Sequence, residues 1–373
     1  MNKYVKKMAL MVPYVKRHYE EIERLRTMGL KYHSCWPLDS FSLHFSDLID
    51  ANEECIRFCC EPLIDYPRLA LCETVEESVK AFVKLRAEII AESIKLSLLG
   101  KFAEDEDRSF TSKCAKCPRF QLDNWRDDGL IHHIVLSMYP SPCQCKCIYC
   151  NVPPDLHMQQ INAESTRIYE KIFAIIDWMQ KNGMTAKDLT WFIAGGEITI
   201  HPFKDRILSL VKNQTASFCT NCFIFDEKIA ANLSINKYST ISFSIDCGTP
   251  ETWYKIKGVD NFYTVIENLE KYMASGTRQE QIQLKYIILP GINDNLEEYQ
   301  AIVGILKKLK IGFMQIAVDF STRSRESFVR SAGYLLAMLR KNNITTNLTH
   351  HFYQDEIDKA SAFADELLES GEV

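Results

Sequence analysis

Between residues 129 and 342 the chain alternates short strand-like runs with helical runs, and this rhythm commits it to an α/β fold with a parallel sheet. The strand-like runs are 131–138 (IHHIVLSM), 189–194 (LTWFIA), 216–224 (ASFCTNCFI), 239–245 (STISFSI), 281–289 (QIQLKYIIL) and 312–319 (GFMQIAVD). Helical runs follow at 162–182, 203–212, 226–234, 260–274, 296–308 and 325–342. Six such units are too few for an eight-unit barrel, so a partial (β/α)6 barrel or an open doubly wound sheet is expected. In either fold, ligands bind at the carboxyl ends of the strands. A final segment, 344–370, adds a strand (ITTNLTH) and a helix (DEIDKASAFADELLES).

The first 125 residues have a different character and are expected to form a smaller, mainly helical, Cys-rich domain. It has a helical start (Val15 to Leu30), a Cys- and aromatic-rich middle (Cys35 to Cys72) and a long helix over 74–99. That helix is signalled by Val79, Phe82, Val83, Leu85, Ile89 and Ile90. The expected division is 1–125, a core at 126–325, and an extension at 326–373. With 373 residues, 46% of them hydrophobic, the chain can bury a large core. A net charge of −5 argues against a bulk nucleic-acid binder. No apolar run is long enough to span a membrane. The start, MNKYVKKMALMVPYV, has only a brief apolar stretch broken by Pro13, so it is not read as a signal peptide. A cytoplasmic location is expected, in which the 14 cysteines serve as metal ligands or small buried hydrophobes rather than as a disulfide framework.

Four of those cysteines fall in one loop, SPCQCKCIYCN: Cys143, Cys145, Cys147 and Cys150. It follows the first core strand. A disulfide knot, a zinc site, a run of buried thiols and an iron–sulfur site all use such thiols. Cys143, Cys147 and Cys150, spaced C-x3-C-x2-C, can wrap three irons of a [4Fe–4S] cluster and leave the fourth open. A structural zinc wants four protein ligands, and Cys145 as the fourth would strain the tetrahedron. The cluster is the favoured reading and zinc its rival.

Several ordered segments resemble the radical S-adenosylmethionine (SAM) enzymes. The cysteine loop carries an aromatic residue, Tyr149, just before its last cysteine. The second strand ends in AGGEITIHP, similar to the family's GGE motif; the third carries CTNCFIF, and the fourth SFSIDCGTPETWYKIKG. The fifth runs into LKYIILPGINDN. The set spans about 130–320 and implies a partial barrel of radical SAM type. It also implies reductive cleavage of SAM to a 5′-deoxyadenosyl radical that takes a hydrogen atom from the substrate. A reducing donor such as flavodoxin or ferredoxin would supply the electron.

The resemblance implies cofactor-binding roles for Tyr149, Gly195, Gly196, Glu197, Ser244, Asp246, Lys285 and Asn293. Two glycines allow close backbone approach, and Glu197 can act as a charge-assisted acceptor for the SAM amine. Ser242, Ser244 and Asp246 alternate along a strand and so share a face, with Ser244 and Asp246 assigned to the ribose. The family more often has glycine where Cys222 and Cys247 stand. Cys247, and equally Cys222, could return a hydrogen atom to a substrate radical, with packing as the plainer role. His132, His133, His201, His350 and His351 are read as packing, surface or turn residues, and Arg325, Arg330 and Arg340 as a solvated helix face.

The front cysteines resemble the SPASM-type auxiliary cluster module of peptide- and sugar-modifying radical SAM enzymes, permuted to the N-terminal side. A second [4Fe–4S] cluster is then expected on Cys35, Cys59 or Cys60, Cys114 and Cys117, with a structural zinc as the rival. Cys55, Cys72 and Cys145 are read as bystanders. The implied substrate is a peptide or a cell-surface sugar, with oxidation, epimerisation or bond formation as the outcome; a tRNA fits the acidic charge poorly. The competing class is a non-catalytic iron–sulfur electron carrier or redox sensor, which would need neither the GGE segment nor ribose-side residues.

Overall fold

The computed structural model describes residues 17, 20, 21, 23–25, 27–39, 42–46, 55–56, 69–70, 72–99, 120–125, 129–137, 142–150, 162–319, 325–348 and 354–373. The chain divides into two compact units, 1–140 with 160–192, and 141–159 with 193–373.

In the first unit the elements run β1 (Tyr32–Ser34), α1 (Trp36–Asp39), β2 (Ser42–Ser46), β3 (Cys55–Ile56), β4 (Leu69–Ala70), α2 (Val75–Leu99), β5 (Gln121–Asp123), β6 (Ile131–Ser137), α3 (Ala163–Lys181) and β7 (Thr185–Ala194). The last two residues of β7 already belong to the second unit. Helix α2 starts at a reciprocal cap. The Thr74 hydroxyl accepts the Glu77 N–H, and the Glu77 carboxylate accepts the Thr74 N–H. Its Val79, Phe82, Val83, Ile89 and Ile90 are buried at the predicted helical spacing. β2, which the sequence reading left inside the Cys-rich region, pairs in parallel with β6 from Ser42↔His133 to Ser46↔Ser137.

The second unit holds α4 (Lys204–Val211), β8 (Thr215–Cys219), α5 (Glu227–Ile235), β9 (Thr240–Ser244), α6 (Pro250–Lys257), α7 (Phe262–Ala274), β10 (Ile282–Ile288), α8 (Leu296–Lys308), β11 (Phe313–Val318), α9 (Arg325–Lys341), β12 (Thr345–Leu348) and α10 (Gln354–Ser370). Its strands are parallel neighbours in the order β12-β11-β10-β9-β8. The alternation of strand and helix is the predicted one. Strand β8 stops five residues before its expected end because the chain turns there, with Cys222 in the left-handed region at φ 58°.

These strands have two unlike faces. Ala216, Phe218, Ile241, Phe243, Ile282, Leu284, Tyr286, Met314 and Ile316 are buried, and Phe243 meets Trp253 of α6 at 6.1 Å. The alternate residues Ser217, Cys219, Thr240, Ser242, Ser244, Gln283, Lys285 and Gln315 are only half-buried. Parallel strands are ordinarily apolar on both faces, so a polar second face marks where a ligand belongs.

Candidate functional site

The cysteine loop is gripped from three sides. The Lys146 and Ile148 N–H groups donate to the Lys257 and Ile256 carbonyls at the end of α6, at 2.8 and 3.0 Å. The Glu197 N–H donates to the Pro142 carbonyl at 2.8 Å. Asn221, two residues beyond β8, donates its amide to Gln144 at 2.8 Å and toward the Cys143 sulfur at 3.8 Å. Within the loop the buried Cys145 thiol lies beside Cys143 and Cys147, with one proton to share with either. A bond from Cys145, stronger than the opposing effect of burial, lowers the Cys143 thiol below its ordinary range. Cys147 is lowered to about 6, chiefly by the Cys145 bond and, against burial, by the Lys257 charge. Cys145 itself is pushed up, chiefly by its neighbours Cys143 and Cys147 and further by burial. The loop therefore eases deprotonation at Cys143 and Cys147, with Cys150 exposed beside them. Among the described residues no three Cys, His, Asp or Glu side chains converge on a single ion. A cluster asks something different, since each thiolate takes a different iron.

The GGE turn follows β7. Gly195 and Gly196 both take left-handed backbone, φ 86° and 63°, which side chains would resist. Glu197 is fully buried, and burial raises its pKa. Its carboxylate is engaged by protein donors: the Thr199 N–H at 2.9 Å, the Thr199 hydroxyl at 2.6 Å, the Thr220 hydroxyl at 2.8 Å and the Asn221 N–H at 2.5 Å. The residue expected to face the amine thus ties the end of β7 to the segment after β8. Thr220 and Asn221 were passed over as part of the third-strand motif. His201 is buried, which lowers it to about 4, and its Nδ1 accepts the Phe203 N–H at 3.1 Å.

Asp246 does not continue the Ser242–Ser244 row. It takes φ 56°, and this left-handed turn directs its carboxylate into a buried network. One oxygen lies 2.5 Å from the Lys257 ammonium and 2.5 Å from the Tyr149 hydroxyl, while the other accepts the Ile287 N–H at 2.8 Å. Lys257 also donates to the Tyr149 oxygen at 2.6 Å. Asn293 is fully buried and donates to the Asp246 and Ile287 carbonyls at 2.6 and 2.8 Å, closing the turn after β10. Ser244 and Lys285 are neighbours across β9 and β10, and Gln315 stands beside Lys285 on β11. The Lys285 carbonyl accepts the Ile245 N–H at 3.0 Å, but its ammonium has no hydrogen-bond or ion-pair partner among the described residues. Lys257 was missed because a lysine just before a helix-ending glycine ordinarily reaches solvent.

The cysteines near the strand ends separate. Cys222 and Cys247 are wholly buried, and Cys247 bonds to the Ile245 carbonyl at 3.5 Å. Cys219 instead stands on the polar face, paired with Ser242. Of the front cysteines, Cys35 follows β1, with its carbonyl accepting the Leu38 N–H at 3.1 Å. Cys59, Cys60, Cys114 and Cys117 lie outside the described residues. Among the described residues no helix is long and apolar enough to cross a membrane.

The family model of the radical SAM superfamily matches residues 142–303. Among solved structures, SuiB of Streptococcus suis bound to its precursor peptide SuiA is 16% identical at a TM-score of 0.45, over 76% of this chain and 67% of that one. SuiB bound to S-adenosylmethionine is 17% identical at a TM-score of 0.46, over 78% and 70%. A radical SAM methyltransferase from Sphaerobacter thermophilus is 14% identical at a TM-score of 0.39, over 56% and 63%. Comparison with curated proteins gave no match. The matched segment runs from the cysteine loop into α8 and takes in the GGE turn, the Asp246 network and Asn293. Residues 142–303 are thus a radical SAM domain, which implies a [4Fe–4S] cluster and S-adenosylmethionine as cofactors.

Proposed function

We propose that Cys143, Cys147 and Cys150 hold the cluster, and that the polar face of β8 to β11 receives SAM and a substrate from which a hydrogen atom is taken. The observation that carries this reading is the loop itself, whose C-x3-C-x2-C segment is held by the Lys146, Ile148 and Glu197 N–H groups and by the Asn221 side chain beside the GGE turn and the end of β8. When bound, the cluster and SAM supply a one-electron cleavage of the sulfonium, giving methionine and a 5′-deoxyadenosyl radical. The protein's part is placement. Gly195 and Gly196 leave room for close backbone approach. Ser244 and the unpartnered Lys285 offer a hydroxyl and a cation suited to the ribose and to a carboxylate. Glu197 and Asn293 act by holding these segments in register rather than by presenting free lone pairs. Cys247, wholly buried just past the turn at Asp246, is assigned to packing.

The substrate class we propose is a peptide or a cell-surface sugar, undergoing oxidation, epimerisation or bond formation. The support is the likeness of the front cysteines to an auxiliary module; Cys35, Cys59 or Cys60, Cys114 and Cys117 are proposed to hold a second [4Fe–4S] cluster. The electron is proposed to come from a flavodoxin or ferredoxin. The test is reductive SAM cleavage by the anaerobically reconstituted protein. Release of 5′-deoxyadenosine and methionine on reduction, lost in the Cys143→Ala/Cys147→Ala/Cys150→Ala variant, is the expected result. A loaded protein that takes up electrons but neither binds nor cleaves SAM would instead be an electron carrier.

A further inference from the structure

Lys257 is the last residue of α6, immediately before the left-handed Gly258 at φ 69°. A lysine there ordinarily extends into water while its charge complements the helix dipole. This one turns inward. Its side chain is 4% exposed, with the ammonium 2.5 Å from Asp246 and 2.6 Å from the Tyr149 hydroxyl. It also lies 5.0 Å from the centre of the Tyr149 ring and 5.5 Å from that of Trp253. The backbone of the same residue accepts the Lys146 N–H, so cation and cysteine loop are held on one frame. A buried ion pair contributes little net stability, because desolvating both charges offsets most of their attraction. The fold alone gives no reason for this one.

The loop gives one. The ammonium bonds Tyr149, which lies between Cys147 and Cys150, and the end of α6 accepts the Lys146 and Ile148 N–H groups on either side of Cys147, so both Lys257 and its partner Asp246 sit against the ligand-bearing segment. Reducing a cluster adds a negative charge to a group already surrounded by thiolates. In a buried setting a nearby fixed cation stabilises that added charge, and a nearby anion does the reverse. We propose that Lys257 is a positioning residue that raises the reduction potential of the cluster on Cys143, Cys147 and Cys150, with Asp246 and Tyr149 fixing the ammonium in place. The inference rests on the assignment of those three cysteines as ligands. Lys257 cannot itself be a ligand while charged, since an ammonium has no free lone pair.

The experiment is a redox titration of the anaerobically reconstituted protein without SAM, followed by electron paramagnetic resonance of the reduced cluster. Lys257→Met is expected to move the midpoint negative of wild type, and Asp246→Asn to move it positive. Opposite signs separate electrostatic tuning from mere loosening of the loop, which would shift both variants the same way. Lys257→Met leaves Asp246 buried without its cation, so that variant can lose its fold. The double variant Lys257→Met/Asp246→Asn removes both charges, and its midpoint is expected negative of Asp246→Asn alone. Equal midpoints in folded, loaded variants, or shifts of one sign, overturn the inference. A wild-type protein that loads no cluster on this loop overturns the ligand assignment and the inference with it, an outcome distinct from equal midpoints in loaded proteins.

Discussion

Replacing Glu197 with glutamine is expected to cost about 2–3 kcal/mol of stability and to loosen the cysteine loop, although Glu197 is not proposed as a ligand. One carboxylate oxygen accepts the Thr199 N–H, the Thr199 hydroxyl and the Thr220 hydroxyl; the other accepts the Asn221 N–H and shares the Thr220 hydroxyl. Hydroxyls can rotate to new partners, but backbone N–H groups cannot. Glutamine has one oxygen, so its amino group is best placed opposite the Asn221 N–H, 2.5 Å from the present oxygen. Two donors then face each other in a fully buried site. An orphaned buried N–H costs about 1–3 kcal/mol, and losing the charge-assisted character of the remaining bonds costs about 1 kcal/mol more. Relief from burying a charge, which is what raises the Glu197 pKa, offsets part of that. Asn221 also holds Gln144, so the displacement reaches the loop. The assay is urea unfolding of the apoprotein followed by circular dichroism, beside SAM binding to the reconstituted protein. Unchanged stability with SAM affinity abolished would refute the reasoning and put the Glu197 carboxylate on the ligand.

Three further outcomes follow from the same geometry. Gly248→Ala would drive a Cβ into the Ala301 Cβ and to 2.5 Å from the Ile302 nitrogen, so a loss of about 2 kcal/mol or more is expected, read as a lowered melting temperature. His201 is held near 4 by burial, below its unfolded value, so the unfolded chain binds the extra proton as pH falls. Its contribution is complete above the unfolded pKa and fades as pH drops toward the folded one, amounting to about 2 kcal/mol between about pH 7 and pH 5. Unfolding of wild type and His201→Gln across that range should differ by this slope, the part due to the similarly buried His133 being common to both. Cys247→Ala is expected to leave turnover and product stereochemistry unchanged, which chiral analysis of the product checks; altered stereochemistry would return Cys247 to the chemistry.

Much of the fold was legible because it rests on repetition. The strand–helix rhythm survives errors at its edges, as β8 shows by ending at Cys219. The strand β2 was not legible: SLHFS is five residues long and takes its meaning from pairing with distant β6. In the site, the cysteine spacing and the GGE segment marked two stretches that the fold brings together at the Glu197–Pro142 bond, but side-chain direction was harder to read. Two-residue alternation put Asp246 in line with Ser244, and only the left-handed backbone at 246 turns it into the core. Lys257 was invisible for a related reason. Its burial depends on Asp246 and Tyr149, residues 11 and 108 positions away, and no local pattern records such a pairing.

The central claim is that three cysteines of one loop carry a [4Fe–4S] cluster, and iron and sulfide counting with Mössbauer spectroscopy tests it most directly. Wild type would be compared with Cys143→Ala/Cys147→Ala/Cys150→Ala after anaerobic reconstitution. The account predicts that the variant lacks about four irons present in the wild type, with about four remaining if the front cysteines hold a second cluster. Equal iron content in the two proteins would contradict it.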